Sequence, residues 1–117
     1  MCEQAYTLLV PLNKEGENEL LGTGGDADLP NCQEFDLTEK ESWLLDPLFD
    51  SYNAMFGIII DYYEEEFILA KDIPQALTMA KTTLKRSTDE TEQRGLNTLI
   101  SALQMAENHD TCMEIVG

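Results

Sequence analysis

Gly57-Ile58-Ile59-Ile60-Asp61-Tyr62-Tyr63-Glu64-Glu65-Glu66-Phe67 is the stretch on which the fold class turns. Three consecutive isoleucines and two tyrosines favour extended backbone, because branched and aromatic side chains fit a pleated surface. Tyr52, Phe56, Ile59, Tyr63 and Phe67 nevertheless recur every three or four residues, a spacing that would carry a helix straight through Gly57. A glycine commonly closes a helix, and here a β-branched run follows it directly. The stretch therefore predicts a helix stop at Gly57 and a middle strand near 58–63, with residues 64–69 leading on, still extended.

Ahead of it, Asp46 reads as an N-cap with Pro47 at the first helical position, where the missing N–H costs nothing. Leu48, Phe49, Tyr52, Met55 and Phe56 follow at helical spacing. A shorter helical segment precedes this one. Thr38 and Glu41 stand at capping-box spacing, and Trp43, Leu44 and Leu45 supply its apolar side. Trp43 is expected in the core, the default for a lone tryptophan on an apolar stripe. Further out, Ala5-Tyr6-Thr7-Leu8-Leu9-Val10-Pro11-Leu12 predicts a strand, with Pro11 marking an edge or terminus because it cannot donate to a ladder. Residues 13–16 read as a turn, Glu19-Leu20-Leu21 as the start of a short returning strand, and residues 22–31 as a loop.

After the deciding stretch the pattern is plainer. Asp72 and Pro74 open a helix whose stripe is Ile73, Ala76, Leu77, Ala80 and Leu84, with Lys81, Lys85 and Arg86 near its end, where the helix dipole favours cations. Ser87 and Glu90 repeat the capping-box spacing. Leu96, Leu99, Ile100, Leu103 and Ala106 form the next stripe, with Gly95 inside it at a cost of about 1 kcal/mol relative to alanine. Thr111 to Val116 predicts a last strand. The expected architecture is α+β: one domain, residues 1–117, with N- and C-terminal strands paired in a small sheet under three to four helices.

Charge is the outlying property. The chain has 117 residues, 23 acids and 7 bases, a formal net charge of −16, and 43% hydrophobic residues, enough for one core. Residues 1–70 hold −14 of that charge. Such a field repels nucleic acid and anionic membrane and attracts basic proteins. It also keeps a small protein dispersed, which is the competing explanation of the charge. Three cysteines, Cys2, Cys32 and Cys112, form no CxxC, and with a single histidine they complete no zinc set. Reduced thiols, the absence of a secretory-signal pattern and an apolar run too short for a bilayer lead to the expectation of a cytoplasmic protein.

Motifs for catalysis or cofactors fail on inspection. Asp26-Ala27-Asp28 suggests a calcium loop, but Asn31 stands where the glycine belongs and Leu37 where the glutamate belongs. Gly22 to Gly25 lacks the lysine of a phosphate loop. His109, Asp110 and Cys112 lie at a helix end, where histidine and aspartate are ordinary capping residues. No catalytic, metal or cofactor residues are assigned. The conspicuous polar cluster is Asp61, Tyr62, Tyr63, Glu64, Glu65 and Glu66: acids to meet Arg or Lys, with aromatic neighbours of the kind that anchor interfaces. The competing reading is a wet charge run beside core aromatics.

The expectation is a non-enzymatic acidic module that binds a basic protein through that cluster. In size and charge alone, and through no motif, the chain is similar to bacterial toxin-neutralising immunity proteins, which would make the partner a toxin domain. Two other classes compete: a homodimer or other self-associating structural protein, and a small carboxylate-based enzyme or divalent-cation sensor.

Overall fold

Residues 7–10 alternate between half-exposed and inward positions, and this period of two marks a strand that ends at the buried Pro11. The computed structural model describes residues 5–23, 31–62 and 64–117. The strand Thr7–Pro11 (β1) lies at the centre of a four-stranded antiparallel sheet, between Cys32–Asp36 (β2) and Met113–Val116 (β4), and Glu65–Ile68 (β3) lies beyond β4. Leu8 faces Ile115 on one side and Phe35 on the other, so the terminal strands pair as expected. Leu8, Val10, Met113, Ile115 and Ile68 carry the buried face.

The helices close over that face. Lys14–Thr23 (α1) follows β1, and Glu39–Leu44 (α2) and Asp46–Phe56 (α3) lie between β2 and β3. A single 3-10 turn, Ala70–Asp72, leads into Ile73–Arg86 (α4), and Glu90–His109 (α5) completes the set. The predicted stripes of α4 and α5 are the ones buried, apart from the half-buried Leu84, and α3 is tied to α4 where the Tyr52 hydroxyl donates to the Ala76 carbonyl at 2.7 Å. Gly95 lies where α2 crosses α5. A Cβ there would stand 3.1 Å from the Glu41 Cβ, so the glycine that weakens the isolated helix is what lets the two approach.

Several local expectations hold. The capping box is complete: the Thr38 hydroxyl accepts from Glu41 N–H at 3.1 Å and the Glu41 carboxylate accepts from Thr38 N–H at 2.9 Å. Gly57, at φ 66°, ends α3 in the left-handed conformation that only glycine adopts without strain.

Other expectations are corrected. Tyr63 lies outside the described residues; among the described residues no strand lies at 58–62, which form an irregular turn, and the middle strand is Glu65–Ile68. The reason lies in α3. The Asn53 carboxamide accepts from Ile60 N–H at 2.6 Å and donates to Ile60 C=O at 3.3 Å, and the Glu66 carboxylate takes Ile59 N–H at 2.9 Å. Side chains thus satisfy the backbone groups that a ladder would have used. Residues 13–21 are a helix start, not a turn and a strand. Asn13 Oδ1 accepts from Gly16 N–H at 2.7 Å, and Leu20 is fully buried. Residues 32–36, beyond the predicted loop and given no element from sequence, form edge strand β2. Small shifts occur at caps. Leu45, not Asp46, precedes α3; Asp72 makes no side-chain cap bond; and Asp89, not Ser87, caps α5 by accepting from Glu92 N–H. Trp43 is 65% exposed, because Glu41, Ser42 and Leu45 occupy the inward side of α2.

Candidate functional site

Tyr6 is the fixed point of the site. Its N–H donates to the Ser42 hydroxyl at 2.9 Å and its carbonyl accepts from Leu37 N–H at 3.1 Å, so α2 and the residue after β2 both hold it. Its ring meets Phe49 edge-on, with centroids 5.0 Å apart, and stacks on Tyr62 at 4.7 Å with 18° between planes. The turn held by Asn53 delivers Tyr62 to that position. The Tyr62 hydroxyl then donates to the Asp46 carboxylate at 3.2 Å.

Around this tyrosine pair lies an open pocket of about 310 Å³, lined by Tyr6, Asp46, Asp50, Asn53, Ile59, Ile60, Asp61 and Tyr62. Its charged residues are all aspartates. Asp46 and Asp50 are one turn apart on α3, and Asp61 comes from the turn. The electrostatics carry this signature. Burial holds the Asp46 carboxyl above its ordinary range, and the charges of Asp50 and Asp61 add to that, while the Tyr62 hydrogen bond works the other way. Burial, with Asp46 and Asp61 beside it, pushes the Tyr62 phenol up to about 12. Tyr6 is raised for the same reasons, burial first and Asp46 next.

The sequence-predicted cluster is divided by the fold. Asp61 and Tyr62 line the pocket, whereas Tyr63 lies outside the described residues. Glu64 is exposed, and its carbonyl accepts from Gly117 N–H at 3.0 Å. Glu65 and Glu66 alternate to opposite faces of β3, and the Glu66 carboxylate is engaged by the N–H groups of Ile59 and Phe67. Asp46, Asp50, Tyr6 and Asn53 were not assigned to any site from sequence. The one local hint was the four-residue spacing of the two aspartates, which puts both on one helical face.

Elsewhere the chemistry is quiet. Cys112 is 1% exposed, and burial, followed by the nearby Glu17 carboxylate, pushes its thiol up to about 12, so it holds no thiolate at neutral pH. Asp110 adopts the left-handed conformation at the end of α5. The residues suggested for a calcium loop, Asp26-Ala27-Asp28, lie outside the described residues. Among the described residues, no group of three or more His, Cys, Asp or Glu side chains is arranged to hold a metal ion, and no helix is long and apolar enough to cross a membrane. No protein-family model matches the chain, and no curated protein or solved structure is significantly similar to it.

Proposed function

We propose that the protein is a non-enzymatic binding module that captures a basic protein by taking one of its cationic side chains into the tyrosine-floored pocket. The observation that carries this reading is the convergence of Asp46, Asp50 and Asp61 on the stacked Tyr6–Tyr62 pair, with no basic residue among the described lining residues. Three carboxylates on one pocket, with the charges of Asp50 and Asp61 both disfavouring the charged form of Asp46, form a site short of positive charge. A lysine or arginine entering it relieves that repulsion and meets the half-exposed Tyr62 ring, whose face attracts cations. The concentration of −14 in the first 70 residues steers such a partner to this side of the sequence's charge. Blocking a toxin's basic surface is one role such a module performs, consistent with the size and charge of the chain.

The experiment compares two variants of equal charge. In one, Asp46, Asp50 and Asp61 become asparagine; in the other, the exposed Glu64, Glu65 and Glu107 become glutamine. Calorimetric titration with an oligolysine peptide at low ionic strength should show the pocket variant binding about tenfold weaker than the surface variant, the range expected for charge pairs that lose water on contact. Equal affinity in the two variants would mean that net charge alone attracts the peptide, and the pocket would lose its role.

A further inference from the structure

Trp43 is the chain's single tryptophan, and it stands 65% exposed on α2. Leu45 beside it is buried, and Leu44 is half-buried, so α2 places its largest apolar side chain outward while smaller ones fill the core. Two open grooves flank the indole. One, of about 370 Å³, is lined by Glu39, Lys40 and Trp43; the other, of about 360 Å³, by Trp43, Leu44, Asp46, Pro47 and Glu92. Asp46 lines both the second groove and the tyrosine pocket. The charge of Glu39 also reaches Tyr62. The indole and the pocket therefore belong to one continuous surface in which Glu39, Asp46, Glu92, Asp50 and Asp61 outnumber the single base Lys40.

We infer that Trp43 is a second anchor of the same binding surface, and that it selects a basic protein segment containing arginine. This rests on the pocket reading above. Charge complementarity requires a cationic occupant across this surface. Among cations, the planar guanidinium stacks on an indole face while its edge pairs with carboxylates on both sides; a lysine ammonium offers a hydrated point charge and no plane. A solvent-facing tryptophan between carboxylate-lined grooves is also the residue type and setting in which binding energy concentrates.

The test uses oligoarginine and oligolysine peptides of equal length at low ionic strength. Calorimetry gives affinity, and the fluorescence of the lone tryptophan reports contact. Oligoarginine should bind roughly three- to fivefold more tightly than oligolysine and move Trp43 emission to shorter wavelength, as stacking at a partly exposed site would require. Trp43→Ala should erase the preference by weakening oligoarginine binding more than oligolysine binding, while Trp43→Phe should keep part of it. Both changes are on an exposed position, and circular dichroism checks that the fold is retained. An unmoved emission at saturation, or an alanine variant that still prefers arginine, overturns the role of Trp43. The asparagine variant of the pocket separates the two ideas. If it binds both peptides as the wild type does, the pocket reading falls whatever Trp43 does.

Discussion

Replacing Asn53 by alanine tests whether one side chain holds the turn that builds the site. In the structure the Asn53 carboxamide acts as a substitute strand for Ile60, accepting its N–H at 2.6 Å and donating to its carbonyl at 3.3 Å. The Ile60 side chain is buried beneath. Each such hydrogen bond is worth about 1 kcal/mol net, and a backbone group stranded in a half-buried position adds a desolvation cost, so Asn53→Ala should lose about 2–3 kcal/mol. For a domain of this size that is a fall in Tm of roughly 10 °C. Urea denaturation followed by far-ultraviolet dichroism measures the first quantity and a thermal scan the second. Asn53→Asp sharpens the reasoning. It keeps the acceptor for Ile60 N–H but sets a carboxylate against the Ile60 carbonyl and beside Asp46, Asp50 and Asp61. It should therefore be less stable than the wild type and recover in acid, when the new carboxyl takes up a proton. If Asn53→Ala unfolds within about 0.5 kcal/mol of wild type, which is the scatter of a neutral surface change, the backbone of residues 58–62 is satisfied by other means. The explanation of the missing middle strand would then be wrong.

Gly95→Ala should destabilise by about 1–2 kcal/mol despite the better helix propensity of alanine, because the new methyl would crowd the Glu41 Cβ, which is fixed to the α2 backbone; a more stable variant in urea would show that α2 yields freely. The pH dependence of Asp46 has a definite sign. Its carboxyl titrates above the ordinary range in the folded protein, so its stabilising contribution is complete below the ordinary carboxylate pKa and is lost as pH rises through the raised value. Stability of the wild type relative to Asp46→Asn should therefore decline across that window in a series of urea titrations, and a gap that widens in favour of the wild type as pH rises would contradict the assignment.

Where one or two residues decide a feature, the sequence was legible. Thr38 and Glu41 announce their capping box, Gly57 its helix stop, and the stripes of α4 and α5 their buried faces, because each rests on chemistry within one or two turns. β2 escaped because Cys32–Asp36 is a polar edge strand with no fully buried residue and no clear alternation. α1 escaped because, among its described side chains, only Leu20 is fully buried. The isoleucine run misled for a different reason. Its strand propensity is real, but Asn53 and Glu66 reach it from outside the run and take its hydrogen bonds. The pocket shows the same division. Asp61 and Tyr62 stood out as acid beside aromatic, whereas Tyr6, Asp46 and Asn53 join them only through the folding of three separate segments. Trp43 was placed inside by an average that holds for lone tryptophans and fails on a six-residue helix whose inward positions are already filled.

The central pairing of β1 with β4 has a kinetic meaning. These two strands are drawn from opposite ends of the described chain, and the Thr111 hydroxyl that donates to the Pro11 carbonyl reaches across 100 residues. Among the described residues β3 has β4 as its only strand neighbour, so the β3 edge joins the β1–β2 pair only through that long-range closure. Loop-closure entropy must be met before such distant contacts reward it, so the joining of the β1–β2 and β3–β4 pairs is the step of this fold that topology slows most.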